Sequence, residues 1–553
     1  MATGETGRTA PADRPVAGGA VSAGPDGGPG AAAGPPGEWR RLDPRSLLVT
    51  GAVMGGVAGG ICLPVLLGLS SGAWFGNGPR RGIGLTLLVT ASVLLVVGSV
   101  AADWAGLRRT RYRIGPERVD LHSGLLLLKR RSLARERIRS VDLTAHPLLR
   151  LLGLVKVRIG TGESGGGESS LELNPVSRAE GDRLRAELLG RPAGPAAAPP
   201  GGTLARFDLR WIRYAPTSFL TFAIGSAAAG AALQISDWFG VQEDLIGRTG
   251  DLVRDRPLAL VVPVLVLGAL LTGAVGALGL WLEMWWGYRL EREPGGVLRV
   301  RRGLFTTRSV SVAEPRLRGV ELVEPIGVRA IGGARVDAVA TGLAEADGDR
   351  HADARGLLPV VPRAVADGVA ALVLREPRPP TGAPLTRHPR RARNRRLSWA
   401  LAAALLPAAA LAAAGPWLTP VLLPVAAGYA LVALPVGTAL ALDAYRSLGH
   451  GIAGPYLLAR SGTPSRRTVA LQRTGIIGWT ITETFAQRRA GLITLTATTA
   501  AGAGAYSVHD AGTSEGLAFA DAAVPGLLTP FLVEIPEAAG GAAPENRPPV
   551  IAR

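Results

Sequence analysis

A chain of 553 residues with 47% hydrophobic and only 19% charged side chains, at a mean hydropathy of +0.24, is too long and too apolar for one ordinary soluble domain. One cysteine, Cys62, and six scattered histidines exclude disulfide frameworks, cysteine-based zinc sites, iron–sulfur clusters and CxxC redox chemistry. The 61 Lys and Arg against 43 Asp and Glu give a formal charge of +18, which suits nucleic acid, anionic lipid or basic loops beside membrane spans, so charge placement has to decide.

Residues 1–38 are mostly Gly, Ala and Pro, cannot bury enough surface to offset their ordering entropy, and read as a disordered tail. Within 39–104, apolar stretches from Leu47 to Ser70 and from Ile83 to Ala102 each approach the roughly 20 residues a helix needs to cross a bilayer, and form a hairpin. Ala215 to Ile235 with Pro257 to Leu282 make a second hairpin (211–286). The third (397–443) lies in 46 consecutive uncharged residues, Leu397 to Leu442, with a turn at Gly415-Pro416. Six spans in three pairs are expected. The first span follows a long tail and has a partner helix, which argues against a cleaved signal peptide, and Ile61 stands where lipidation at Cys62 would need a small residue.

Arg40, Arg41 and Arg45 precede the first helix, and Arg108, Arg109, Arg111 and Arg113 follow the second. Six arginines (Arg387, Arg390, Arg391, Arg393, Arg395, Arg396) precede the fifth span, whereas the loop at 236–256 holds five acids against three arginines. Termini and soluble parts are therefore expected in the cytosol, on the inner side of the plasma membrane. The Arg80-Arg81 turn runs weakly against this, and tryptophans such as Trp104, Trp281, Trp285, Trp399 and Trp417 mark the interfaces.

Each hairpin is followed by a similar stretch. The first copy has Tyr112, Gly124, Arg131 and Arg137-Ile138-Arg139-Ser140-Val141; the second has Tyr288, Gly303, Arg308 and Arg316-Leu317-Arg318-Gly319-Val320; a more divergent third has Tyr445, Gly462, Arg467 and Arg473. Alternation at Tyr112/Ile114, Val119/Leu121 and Val155/Val157/Ile159 predicts short antiparallel strands. Ser177 and Glu180 form a capping-box pattern for a closing helix lined by Leu184, Leu188 and Leu189, with counterparts at Arg363 to Leu374 and Ser514 to Leu527. The expected domains are 105–191, 287–376 and 444–533, separated by a linker at 192–210 and a basic linker at 377–396, with a disordered tail at 534–553.

The Tyr-Arg entry after a span (Tyr112-Arg113, Tyr288-Arg289, Tyr445-Arg446), the "SGLL" or "RGLF" turn, the "RIRSV" segment and "LLRLLGLVKVRI" resemble the membrane-anchored bacterial pleckstrin-homology (PH) proteins of the YdbS/YdbT type over about residues 40 to 533. The resemblance implies a multi-domain membrane protein, three repeats of a transmembrane hairpin followed by a PH-like antiparallel β sandwich with a C-terminal helix. It implies a binding module without catalytic residues, and places a second membrane PH-domain protein among the candidate partners.

Gly160-Thr-Gly162-Glu-Ser-Gly165 matches GxGxxG, and Gly162 to Gly166 matches GxSxG. A strand continues at Ser169 to Leu173 where either motif needs a helix, so a hairpin turn is expected. Lys129 and Lys156 are the only lysines and neither follows a glycine, so no phosphate-binding Walker loop exists. His122, His146, His351, His388, His450 and His509 lack ligand spacing and read as solvated surface groups. Gly51/Gly55 and Gly56/Gly60 have the spacing of close helix packing in lipid.

The cluster Lys129, Arg130, Arg131, Arg135, Arg137 and Arg139, with a smaller version at Arg308, Arg316 and Arg318, is the candidate contact surface for a protein partner or anionic headgroups. Beside an anionic leaflet each basic group contributes about 1 kcal/mol, so lipid contact needs no pocket. The leading expectation is a non-catalytic scaffold, with no cofactor and no metal. The alternative is a transporter or lipid-handling component, but the acids Asp103, Glu283 and Asp443 sit only at span ends, and a transport path needs polar groups within the bilayer. No convergent set of nucleophile, base and metal ligands points to an enzyme. Many basic groups are juxtamembrane anchors, which disfavours nucleic acid.

Overall fold

The computed structural model describes residues 38–70, 79–124, 128–138, 140–160, 170–188, 202–217, 219–238, 247, 256–341, 355–533 and 550–551. Of the expected tails, residues 1–37, 534–549 and 552–553 lie outside the described residues, as do the glycine run at 161–169 and Arg139, while Val550 and Ile551 pair with Val533 and Leu532.

Three successive segments share one order of elements. The first runs β1 (Arg40–Arg41), α1 (Ser46–Ser70), α2 (Pro79–Arg109), β2 (Arg111–Ile114), β3 (Arg118–Ser123), β4 (Lys129–Ala134), a 3-10 turn, β5 (Ser140–Ala145), α3 (Pro147–Leu151), β6 (Leu154–Gly160), β7 (Ser170–Ser177) and α4 (Arg178–Leu188). The second runs β8 (Gly202–Arg206), α5 (Phe219–Trp238), α6 (Leu258–Trp285), β9 (Arg289–Glu293), β10 (Val297–Arg302), β11 (Thr307–Ala313), a 3-10 turn, β12 (Leu317–Pro325), α7 (Ile326–Ala330), β13 (Gly333–Ala340), β14 (Gly356–Pro362) and α8 (Arg363–Leu374). The third runs α9 (Arg390–Leu418), α10 (Leu422–Arg446), β15 (Gly449–Ala453), β16 (Tyr456–Ser461), β17 (Ser465–Gln472), a 3-10 turn, β18 (Ile476–Thr482), α11 (Phe485–Ala490), β19 (Leu492–Thr499), β20 (Ala505–Gly512) and α12 (Thr513–Ala523).

Among the described residues five helices are long and apolar enough to cross a membrane, in Ser46–Leu63, Gly82–Arg109, Leu260–Trp285, Arg390–Leu418 and Leu422–Arg446. The expected count was six. The sixth expected span falls on α5 (Phe219–Trp238), of which Thr221–Ala232 is the apolar stretch among the described residues. The turn expected at Gly415-Pro416 falls inside α9 instead. A proline in a helix loses one backbone bond, and the chain reverses a few residues later, at Thr419 to Val421.

The close helix packing expected at Gly51/Gly55 and Gly56/Gly60 is not found there: a Cβ on Gly51 would meet Val100 only at 3.7 Å, and one on Gly55, Gly56 or Gly60 would meet nothing within 4 Å. It occurs between α5 and α6, where a Cβ on Gly225 would lie 2.3 Å from the Ala269 carbonyl oxygen and one on Gly273 2.0 Å from that of Thr221. Four-residue spacing permits close approach, but the crossing geometry chooses where it happens.

The strands are antiparallel, with buried residues at alternate positions such as Tyr112/Ile114, Val119/Leu121 and Val155/Val157/Ile159. Sheets do not stop at segment boundaries. One orders β7-β6-β5-β11-β10-β9-β8, and another β14-β13-β12-β17-β16-β15. The first joint pairs Ala145 with Thr307, Thr144 with Arg308, Leu143 with Ser309 and Ser140 with Val312. The second runs over seven pairs, from Gly319 with Leu471 to Pro325 with Ser465. The joint between the second and third segments is also a shared core. Tyr456, Leu458 and Ala470 pack into the cluster around Tyr288 and Val320, and Val339 packs into the one around Leu457 and Leu495. A Cβ on Gly319 would fall 2.0 Å from the Ala470 carbonyl oxygen, so only glycine admits that strand so closely.

Candidate interaction surface

The first basic cluster divides by position. Lys129 and Arg130 are exposed and Arg131 half-buried on β4, the outermost strand of the sheet β1-β2-β3-β4. Arg137 is exposed in the following turn. Arg135 serves the fold. Its guanidinium donates to the carbonyls of Gly115 (3.3 Å) and Glu187 (2.6 Å), fastening α4 to the sheet. The second cluster lies at the joints: Arg308 is exposed on β11 opposite Thr144, and Arg316 and Arg318 are half-buried, with the Arg318 stem 3.3 Å from the Cβ position of Gly475 in the third segment.

Ion pairs missed in the sequence reinforce both joints. Arg185 of α4 bonds Glu293 of β9, and Arg299 donates to the same carboxylate at 3.0 Å; burial opposes ionisation there, yet the two guanidiniums hold the carboxyl below its ordinary value. Across the second joint the Arg466 guanidinium donates to both oxygens of Glu324, at 2.8 and 2.7 Å, and Arg363 of α8 donates at 2.9 Å. Of the two partners of Glu324 only Arg466 comes from the third segment, and nothing in local spacing links residues 142 apart.

The three span-end acids tie their helix ends to neighbouring parts of the chain, α1, the β10–β11 turn and α7. Asp103 accepts from the Thr50 hydroxyl at 2.7 Å, Glu283 from the backbone N–H groups of Phe305 (2.9 Å) and Thr306 (2.8 Å), and Asp443 from Arg329 of the second segment at 2.6 Å. The capping pattern at α4 is half realised. Glu180 N–H donates to Ser177 Oγ at 3.3 Å, while the Glu180 carboxylate is taken by Arg40 and by the Tyr112 hydroxyl at 3.3 Å.

Two histidines expected at the surface are buried together. The His388 Nδ1 hydrogen faces the Asp510 carbonyl at 3.1 Å, which leaves His388 Nε2 to accept from His450 Nδ1 at 3.0 Å. The same Asp510 carboxylate takes Arg395 at 2.7 Å, Arg396 at 3.2 Å and Gln487 at 2.9 Å, so part of the basic linker locks α9 onto the third segment. Burial, then the His388 ring, pushes His450 down to about 4; burial lowers His388 against the pull of the Asp510 carbonyl. An unfolded histidine takes its proton near 6.5, so between pH 6.5 and about 4 the unfolded chain binds more protons and stability falls as pH falls. Thermal unfolding in detergent should show the third segment about 2–3 kcal/mol less stable at pH 4.5 than at pH 7.5. His450→Gln should flatten that slope relative to the wild type; an unchanged slope would remove the pair as its source. Glu515, whose Oε1 is 3.9 Å from His450 and whose carboxyl is raised by burial, opposes this trend and is present in both proteins.

Among the described residues no group of three or more His, Cys, Asp or Glu side chains could hold a metal. The glycine-rich stretch connects paired strands, Gly160 of β6 opposite Ser170 of β7, as a hairpin requires. Cys62 Sγ lies 3.0 Å from Ser92 Oγ between α1 and α2.

No curated protein and no solved structure matches the chain. The family model of the bacterial PH domain matches residues 57–191 and 401–524. Each match begins in a helix of membrane-spanning length and ends beside a closing helix, α4 or α12. The chain thus carries two stretches that match the bacterial PH domain, over antiparallel strands in the same order.

Proposed function

We propose that the chain is a multi-pass plasma-membrane protein that displays three PH-like units on the cytosolic side as a non-catalytic scaffold. The middle segment, with the same element order as its neighbours, is the third unit of the set. The observation that carries the reading is the strand pairing around each helix pair. β1 before α1 bonds β2 after α2, β8 before α5 bonds β9 after α6, and Thr386 before α9 bridges His450 after α10. A chain that leaves and returns to one sheet crosses the bilayer an even number of times. The two joints hold all three units edge to edge and thus on one side, so α5 works as the partner of α6. The arginines of 387–396 favour the cytosol for that side.

Units held edge to edge present contact surfaces at high effective concentration, which suits a scaffold for a protein partner or the anionic leaflet. The arginines of this face are the test. Arg130, Arg131 and Arg137 changed together to Ala, with Arg135 retained because it holds α4, should leave membrane insertion unchanged and reduce contact-dependent crosslinking in intact cells at least fivefold. Crosslinking equal to wild type, read by capture of the tagged protein, would remove this face from the scaffold.

A further inference from the structure

The two joints within the chain have the same register. Counted from the 3-10 turn that follows the third strand of each segment, Arg308 of β11 and Arg467 of β17 are equivalent, as are Thr144 of β5 and Val323 of β12. Thr144 pairs with Arg308, and Val323 pairs with Arg467. In each joint the strand after the turn of one segment meets the strand before the turn of the next. Among the described residues two members of this series have no strand on their joint side: β4 of the first segment, paired only with β3, and β18 of the third, paired only with β19, each the outermost strand of its sheet.

From these edges we infer that copies of the chain join head to tail, β18 of one copy pairing antiparallel with β4 of the next. The inference rests on reading the three segments as copies of one unit. Carrying over the joint register sets Thr482 opposite Lys129, Thr480 opposite Arg131 and Gly478 opposite Leu133.

Three features fit a second copy as the occupant. First, Gly478 stands at the position of Gly319, beside the same register shift in the pairing with the following strand. A Cβ on Gly319 would strike the Ala470 carbonyl at 2.0 Å, whereas one on Gly478 would meet nothing within 4 Å. Second, the Arg135 N–H donates to the Glu117 carbonyl at 2.8 Å, which sets the alternation along β4 and turns the backbone groups of Arg130, Ser132 and Ala134 outward. Ser132 is the counterpart of Ala470, so its carbonyl would meet Gly478. Third, β18 carries no charge and ends beside Glu483, at the place of Glu324, while β4 opens with Lys129, Arg130 and Arg131. An uncharged edge strand with Ile477 exposed lacks the charges that usually protect an edge from pairing.

The contact uses different surfaces on its two sides and is therefore heterologous, closing into a ring or continuing as a filament. Each unit carries its own helix pair, so the series grows in the plane of the membrane.

The test uses the full chain with Cys62→Ser and two differently tagged copies, one with Lys129→Cys and one with Thr482→Cys, oxidised in native membranes. The expected result is a crosslinked species containing both tags, absent when both copies carry Lys129→Cys or both carry Thr482→Cys. Gly478→Val, which meets open space within its own chain, should reduce the mixed crosslink at least tenfold without changing the melting temperature of the monomer. No mixed crosslink, an equal yield from same-site pairs, or Lys129→Cys captured by a different protein would each overturn the second copy as occupant. Capture of Lys129→Cys by a different protein would overturn the second copy while supporting the arginine face as a partner surface, and an absent mixed crosslink would leave the result of the arginine variant untouched, so the two readings fail separately.

Discussion

Replacing Glu324 with alanine is expected to destabilise the joint between the second and third segments by about 1–3 kcal/mol, the cost of leaving two half-buried guanidinium groups, which can still reach water, without their buried counter-charge. The carboxylate is 1% exposed and accepts from Arg466 through both oxygens and from Arg363 through one. Glu321, beside it on β12, pairs with Arg467 at 3.3 Å, and burial raises its carboxyl despite that partner, so it is poorly placed to take over two further guanidiniums. Glu324→Gln should be milder, since its amide oxygen keeps one acceptor. The readout is unfolding in detergent together with limited proteolysis between residues 374 and 390. Alanine should bring earlier unfolding and faster cleavage there, and a change below about 1 kcal/mol would show that the shared apolar core carries this joint alone.

Gly273→Leu is expected to separate α5 from α6, costing more than about 3 kcal/mol because the obstacle is backbone rather than a side chain that can turn away. A Cβ there would sit 2.0 Å from the Thr221 carbonyl oxygen, and Gly225 and Gly276 make similar approaches to Ala269 and Ile224. Gly268→Leu on the same helix is the control, since a Cβ there meets nothing within 4 Å. Expression and melting temperature in detergent should fall for the first and hold for the second. Equal behaviour would mean that α5 is not packed against α6, which would also remove the support for α5 as a crossing helix.

Several elements were legible because their determinants are local. The closing helix Arg363–Leu374 falls where its apolar face and the preceding Pro362 place it, and β2, β3 and β6 follow their period-two burial. The span expected at Ala215 to Ile235 is represented among the described residues by the shorter apolar stretch Thr221–Ala232 of α5. The basic site was legible only as a cluster. That Arg135 turns inward to α4 while Lys129 and Arg130 stay exposed depends on which carbonyls α4 brings within reach.

The sequence by itself determined the long apolar helices, the short antiparallel strands and the closing helices, since period, capping and apolar length act over a few residues and need no distant partner. Tertiary structure decided which sheet edges meet, that His388 and His450 share a dry pocket, that Arg466 reaches Glu324, and that the close glycines are Gly225 and Gly273 rather than Gly51 and Gly55. Those contacts join residues tens to more than a hundred positions apart, and their free energy comes from burial and paired charge that exist only once the edges have met.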